Sequence, residues 1–489
     1  MKTIALIFHF SLLIFHLPAQ TVTQKLQKAF TAFEKDTQLT HAISSLYVID
    51  AQTGSVVFDK NSRIGLAPAS TQKIITSVTA FELLGKDYRY KTDFIKSKAS
   101  HSDGDPNLII KGYGDPTFGS SRYQFTNPNS VFDSVLKKIR QNQMLKITRI
   151  ETYQSVQDNN PIPGGYIWED IGNYYGAGTF NFNWRENQYD MILESQAENA
   201  TPPGIISTEP IQTDITFYNF LKTGKPGSGD NAYIFSVPFS NEIFVRGTIP
   251  PMQKRFVISG SMPFPTKTFS EELYHFLKKK EISFVNTYSA DGKTILKKDS
   301  FFIRRDFTSL GDAIDQLRRE SGSYESDTIY THYSPSLDSI IYWFNKKSIN
   351  LYGEALIKTF AHEKQGFGST DSGVAIVQKF WKEKGLSDKE LNIVDGSGLS
   401  PLNRVTTHAQ VEILKYAKNK DWFPSFYNSL PEYNGMKMKS GTIHDVKGFC
   451  GYHKAKNGKE YIFSFLVNNY NGSAGDLVKK MYTVLDNLK

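Results

Sequence analysis

The chain has 489 residues, 39% hydrophobic and 22% charged, with a formal net charge of +8. Domains run to roughly 100–200 residues, so two or three cores are expected, and no interior segment reaches the roughly 20 unbroken apolar residues of a membrane span. The positive balance suits an anionic surrounding such as a bacterial envelope; nucleic-acid binding is disfavoured, because the basic run Phe276-Leu277-Lys278-Lys279-Lys280 reads as the solvated end of a helix.

At the N-terminus Lys2 precedes an apolar stretch from Ile4 to Phe15, and Leu17-Pro18-Ala19 supplies small residues for cleavage after Ala19. Residues 1–19 therefore read as a secretory signal peptide, and without a Cys near the cut a lipoprotein is not expected. Residues 21–40 are helix-compatible, and His41–Asp50 and Ser55–Asp59 read as strands joined by Gln52-Thr53-Gly54. Pro68-Ala69 leads into Ser70, after which Ile74, Ile75, Val78, Ala80, Leu83 and Leu84 recur with helical spacing until Gly85.

From about Asp93 to Pro265 the texture changes to short strands with many Gly, Pro and Asn, which predicts β-rich matter inserted into the first domain. Helical periodicity returns at Ser270–Lys280, Leu310–Ser321, Ser336–Phe344, Leu351–His362 and Gly373–Lys384. Strands are expected around Val446–His453 and Glu460–Asn468, then an amphipathic helix at Gly475–Leu488, so both ends of the chain should build one antiparallel sheet. Cys450, the single cysteine, cannot form an intrachain disulfide and reads as a small buried residue of a strand.

Three short stretches carry chemistry. In Ser70-Thr71-Gln72-Lys73 the lysine, three positions on, shares a helix face with the serine and can take its proton. That requires a lowered lysine pKa, which burial and a second cation, Lys439, would promote. Ser348-Ile349-Asn350 stands at the entry to a helix, where Ser348 could relay a proton and Asn350 hold a substrate amide. Lys439-Ser440-Gly441-Thr442 adjoins apolar strands, where glycine permits close backbone approach and a cation with hydroxyls can bind a C-terminal carboxylate. Two look-alikes lack this context: Ser134-Val135-Leu136-Lys137 has no Pro-Ala entry, and Lys222-Thr223-Gly224 runs into a polar loop before Ser348. His362-Glu363 lacks the second His of a zinc helix, and no metal or cofactor is expected.

In this order the three motifs resemble the active site of penicillin-recognising serine enzymes. Further stretches narrow the likeness: Ile110–Thr117, Tyr174-Tyr175-Gly176-Ala177-Gly178 with Asn181-Phe182-Asn183, Asp395-Gly396-Ser397-Gly398-Leu399-Ser400, and Lys439–Tyr452. They are similar to the class C low-molecular-mass penicillin-binding proteins, the D-alanyl-D-alanine carboxypeptidase/endopeptidase family. The resemblance implies an α/β fold: a discontinuous β-lactamase/transpeptidase-like domain, an antiparallel sheet flanked by helices, over 20–92 and 268–489. It also implies two inserted β-rich domains, one over 93–125 and 190–267 and the other over 126–189.

It further implies a periplasmic enzyme that trims terminal D-Ala from peptidoglycan stem peptides, cuts D-Ala cross-links and is acylated by β-lactams. In that reading Ser70 is the acylated nucleophile, Lys73 its base, and Ser348 and Asn350 the second motif. Lys439, Ser440, Gly441 and Thr442 hold the carboxylate, with the Ser70 and Thr442 backbone N–H groups as oxyanion hole, and Asp170 faces the stem. The chain departs from the family in Ile349, where Asp is common, and in Pro401, where an Arg often follows the Asp-Gly-Ser-Gly-Leu-Ser run; Arg404 is offset. A homo-oligomer stays open, and the competing readings are a β-lactamase or related serine esterase and a non-catalytic wall-binding protein.

Overall fold

A computed structural model describes residues 20–98, 105–154, 156–197, 202–284, 302–306 and 326–489. The expected signal segment and the helical periodicity at Leu310–Ser321 lie outside these residues. Both ends of the chain meet in one six-stranded antiparallel sheet, ordered Glu432–Tyr433, Met436–Ile443, Val446–Lys454, Glu460–Asn468, Ile43–Asp50, Val56–Lys60.

Strand alternation distributes this sheet between two cores. Leu46, Val48, Phe463 and Phe465 pack under helices Val22–Glu34 and Ala474–Leu485. Tyr47, Ile49, Cys450 and Ile462 face a block of helices on the other side. With both faces covered, residues 44–49 and 461–467 are buried continuously rather than alternately. Helix Lys73–Leu84 runs through that block, buried continuously from Lys73 to Phe81, with the buried hydroxyls of Thr76 and Thr79 donating to the carbonyls of Gly396 and Ile75. Gly85 ends it at φ +81°, a backbone angle that favours glycine.

Around it lie helices Leu337–Lys346, Asn350–Gln365, Thr370–Glu383, Thr407–Lys418 and Phe423–Ser429. The last two have no counterpart among the expected elements, although their start signals are present. Thr406 caps the Ala409 N–H at 3.0 Å, and Pro424 occupies the first turn of the second. The Lys439 motif does not merely adjoin strands: it lies within one, Met436–Ile443.

The inserted portion departs from the expected boundaries. Strand Ser326–Tyr333 pairs antiparallel with Lys91–Lys98, so the insertion extends to Tyr333 rather than ending near 267. These strands belong to a five-stranded sheet ordered Phe302–Asp306, Ile150–Gln154, Pro106–Gly112, Lys91–Lys98, Ser326–Tyr333. Helices Pro128–Gln141 and Pro265–Lys279 pack on it in one core with Phe94, Leu108, Ile110, Val131, Phe132, Phe269 and Leu273. Residues 93–125 thus share a core with the segment that follows them, not with 190–267.

The stretch 188–261 forms its own unit of two three-stranded sheets around Tyr189, Met191, Leu221, Ile243 and Val245. The physical reason is that an amphipathic helix buries its stripe against whichever sheet is adjacent in space, and turn-rich composition does not record strand partners.

Cys450 sits where expected, fully buried in strand Val446–Lys454, with its thiol 3.8 Å from the Thr71 carbonyl. Burial pushes its pKa up, so the reactive thiolate is suppressed. A thiol reagent such as 5,5′-dithiobis(2-nitrobenzoate) is expected to leave the native protein unlabelled and to titrate one thiol after denaturation. Rapid labelling of native protein would contradict this packing.

Candidate active site

The Ser70 turn is set by backbone contacts from two distant segments. Ala69–Gln72 forms a single 3₁₀ turn ahead of helix Lys73–Leu84, and Ala69 takes the left-handed φ of +46°. A Cβ added at Gly398 would lie 2.0 Å from the Ala69 carbonyl oxygen. One added at Gly441 would lie 2.7 Å from the Pro68 oxygen and 2.9 Å from the Ser70 nitrogen. Only glycine lets both backbones close on the turn, and this is what brings Asp395–Ser400 and Lys439–Thr442 against Ser70.

Lys73 is fully buried, with Nζ 2.9 Å from Ser70 Oγ, 2.6 Å from Asn350 Oδ1 and 2.8 Å from the Ser397 carbonyl oxygen. Burial lowers its pKa well below the usual lysine value, and the charge of Lys439 lowers it further. A neutral amine has two hydrogens and one lone pair. Asn350 Oδ1 and the Ser397 carbonyl accept the two hydrogens, so the lone pair is left for the Ser70 hydroxyl proton. Asn350 is fixed in turn by donating from Nδ2 to the Tyr175 carbonyl at 2.7 Å.

The Asp395–Ser400 loop is held by two buried carboxylates. Asp395 accepts from Gln72 Nε2 at 2.9 Å and from the backbone N–H groups of Gly398 at 2.8 Å and Ser400 at 2.7 Å. Glu354, one turn after Asn350 on the same helix face, accepts from the Gly396 N–H at 3.0 Å and the Tyr166 hydroxyl at 2.9 Å. Burial, with Asp395 close by, pushes the Glu354 carboxyl up to about 7. The Tyr166 hydroxyl also lies 3.2 Å from Ser397 Oγ. The carbonyl that binds Lys73 is therefore oriented from both the helix block and the insertion.

Above this floor opens a cleft of about 850 Å³ lined by Ser70, Ser348, Asn350, Thr442, Asp170, Tyr175, Tyr233, Leu399 and Pro401, among others. Ser348, at a left-handed φ of +57°, forms part of this wall. Lys439, 2% exposed, lies behind it and donates to the Ser440 carbonyl at 2.7 Å. Burial lowers its pKa to about 7. Ser440 is outside the lining residues, and its carbonyl, rather than its hydroxyl, engages Lys439. Asp170 hydrogen-bonds with Tyr175, and burial raises its carboxyl to about 6.

The structure thus brings Ser70, Lys73, Ser348, Asn350, Lys439, Gly441, Thr442 and Asp170 to one place. The look-alikes are elsewhere. Ser134 Oγ donates to the Ser130 carbonyl at 2.8 Å inside helix Pro128–Gln141, and Lys222 is exposed on strand Thr216–Thr223. Arg404 does not replace the arginine absent at position 401: its guanidinium donates to the carbonyls of Pro401 and Asn403.

Sequence reasoning gave no role to Glu354, Tyr166, Gln72 or Lys447. Glu354 had a signal in its spacing of four from Asn350. Lys447 faces Thr442 across the hairpin and donates to its hydroxyl at 2.7 Å, a pairing visible once the strand register is known.

Comparison with known proteins agrees with the architecture. The model of the D-Ala-D-Ala carboxypeptidase 3 (S13) family matches residues 26–301 and 303–432, which stops short of the Lys439 strand. The chain is 24% identical over 477 residues to a D-alanyl-D-alanine carboxypeptidase of Actinomadura sp. (strain R39), covering 92% of this chain and 82% of the relative. It is 22% identical to D-alanyl-D-alanine carboxypeptidase DacB of Haemophilus influenzae over 87% of this chain and 85% of that protein. The crystal structure of penicillin binding protein 4 (dacB) from H. influenzae superposes with a TM-score of 0.74 at 18% identity, covering 95% of this chain and 98% of that one. The chain belongs to the D-Ala-D-Ala carboxypeptidase 3 (S13) family and is a serine-type D-Ala-D-Ala carboxypeptidase.

Proposed function

We propose that the enzyme removes terminal D-Ala from peptidoglycan stem peptides through an acyl-enzyme on Ser70, and that it also cuts D-Ala cross-links and is acylated by β-lactams. The observation that carries the site assignment is the buried Lys73 amine, with two acceptors for its hydrogens and its lone pair on Ser70. In the first step Lys73 takes the Ser70 proton while Oγ attacks the scissile carbonyl carbon. The backbone N–H groups of Ser70 and Thr442 receive the developing oxyanion.

As the tetrahedral intermediate collapses, the C–N bond breaks and the proton passes from Lys73 through the Ser348 hydroxyl to the departing D-Ala amine. Water then cleaves the ester, returning the Ser70 proton by the same groups. Lys439 and Thr442 receive the substrate's terminal carboxylate, and Asp170 and Tyr175 face the stem. A solved complex of penicillin binding protein 4 from H. influenzae with a β-lactam, TM-score 0.69 and 16% identity, supports the fold on which this reading is built. The lysine-led apolar N-terminus supports export to the periplasm, and among the described residues no helix is long and apolar enough to cross a membrane.

Ser70→Ala and Lys73→Met are each expected to lower D-Ala release from a pentapeptide and labelling by fluorescent penicillin by roughly 10⁴-fold or more. Ser134→Ala and Lys222→Ala should stay within about twofold of wild type, as substitutions away from the site do. Equal losses at those two positions would undo the assignment, and rapid turnover of penicillin in place of stable labelling would point to a β-lactamase.

The two lysines set the pH dependence. Lys73, whose pKa is lowered well below the ordinary value, must be neutral, so kcat/KM rises with pH on the acid side. Lys439, lowered to about 7 in the free enzyme, must be charged to hold a carboxylate, so kcat/KM falls as pH rises through about 7. A bound carboxylate favours the charged form, which moves the descending limb of kcat to higher pH. A kcat/KM that keeps climbing to pH 10 would remove Lys439 from carboxylate binding.

Glu354→Gln keeps the size of the group but removes a carboxyl that burial holds at about 7 and that, when ionised, raises the Lys73 pKa. It is expected to cost roughly tenfold in acylation rate, about 1.4 kcal/mol, and to displace the acid limb of the profile. An unchanged profile with only a lower Tm would make Glu354 a packing residue alone.

A further inference from the structure

The small inserted unit turns to solvent a sheet face that its own core does not use. Strands Asn231–Phe235, Glu242–Ile249 and Thr216–Thr223 lie side by side in that order. Alternation sends Ile234, Ile243, Val245, Phe217 and Leu221 inward. On the opposite side the register sets two rows across the strands: Phe235, Phe244 and Tyr218, then Tyr233, Arg246 and Phe220.

Tyr218, Phe220 and Tyr233 are 38%, 52% and 45% exposed. The Tyr218 and Phe244 rings stack at 4.8 Å, Phe220 lies parallel to Phe244, and the Arg246 guanidinium is 5.5 Å from the Phe220 ring centre. Trp168, 49% exposed, extends the rows at 5.9 Å from Phe235. A contiguous aromatic surface of this kind on a globular protein marks a contact site.

What the face contacts is indicated by where it leads. Tyr233 also lines the cleft with Ser70 and Asp170, and Trp168 begins the short helix that carries Asp170. The aromatic rows are flanked by groups that hydrogen-bond: Glu242, which accepts from the Tyr218 hydroxyl at 3.4 Å, on one side, and the row Lys222, Thr248, Asn231 on the other. Rings with polar edges beside amide, hydroxyl and cationic side chains suit a ligand that presents C–H faces and N-acetyl methyls together with hydroxyls and carbonyls.

We propose that this face binds the glycan strand carrying the stem peptide under attack. The proposal rests on the peptidoglycan reading above. A five-residue stem spans at most about 18 Å when extended, so a terminal D-Ala at Ser70 keeps its sugar near the cleft wall, and Tyr233 joins that wall to the aromatic rows. The sugar and the peptide of one substrate would then be held at the same time, and the tether between them raises the effective concentration of each.

The test uses Tyr218→Ser/Phe220→Ser, whose positions lie outside the cleft. Wild type and variant are compared on a free soluble pentapeptide, on intact sacculi, and for retention on glycan strands stripped of peptide. The expected result is unchanged kcat/KM on the free pentapeptide and unchanged Tm, with kcat/KM on sacculi about tenfold lower through KM and retention on bare glycan lost. Equal losses on both substrates, unchanged activity on sacculi, or a wild-type dimer that the variant converts to monomer while glycan retention persists would each overturn it; the last would mean that a second copy of the chain covers the face. Retention of Ser70→Ala protein on bare glycan reads this inference independently of whether the peptidase reading holds.

Discussion

A lysine amine sealed from water beneath a serine hydroxyl is the constraint on which the rest of this site depends. Burying an ammonium costs several kcal/mol unless it is paired. The partners of Lys73 are an amide oxygen, a carbonyl oxygen and the hydroxyl itself, none of them ionised. The environment thus favours the neutral amine, which is the form that can accept a proton. The same burial acts on Lys439, lowered to about 7, and Lys439 in turn opposes a charge on Lys73. In the proposed mechanism the two lysines divide the work: one serves as base, while the other takes the charged form that a carboxylate ligand stabilises.

Such a pocket needs rigid walls, and the chain builds them from segments far apart in sequence. The backbone of the Ser70 turn is clasped by Gly398 and Gly441, and each Lys73 acceptor is itself hydrogen-bonded or carried by a loop fixed by carboxylates. The insertion belongs to this structure rather than decorating it. The Tyr175 carbonyl holds Asn350, and the Tyr166 hydroxyl reaches Glu354. The Glu186 carboxylate receives the hydroxyls of Tyr352 at 2.6 Å and Ser120 at 2.7 Å and the Arg122 guanidinium at 2.8 Å. Lys358, buried in the helix after Asn350, donates to Asp158 at 2.8 Å. The floor of the cleft at Ser70 and the wall that carries Asp170 therefore come from different units locked by polar contacts.

The catalytic floor was largely legible because its chemistry is local. A serine and a lysine three apart on an apolar helix form one unit wherever they occur, and the entry through Pro68-Ala69 distinguished Ser70 from Ser134. The closing sheet was equally readable, since strands at His41–Asp50 and Glu460–Asn468 were expected to join in one antiparallel sheet and do pair along their length. The insertion was not. Composition suggested β-rich matter from Asp93 to Pro265, whereas helices Pro128–Gln141 and Pro265–Lys279 are integral to its larger core and its last strand ends at Tyr333. Lys447 escaped notice for a related reason: its place beside Thr442 follows from strand register, a pairing between residues that sequence spacing does not specify.

The sequence by itself determined the ordered motifs, the helix behind Ser70, the late strands and the solitary cysteine within one of them, because each follows from side-chain type and periodicity along a short stretch. Tertiary structure alone decided that Ser397 offers its carbonyl to Lys73, that Glu354 and Tyr166 orient it, that Arg404 turns to the Pro401 carbonyl, and that an aromatic sheet face runs into the cleft. Those facts depend on which strands pair and which backbones approach closely, and these are settled by the joint packing of segments hundreds of residues apart.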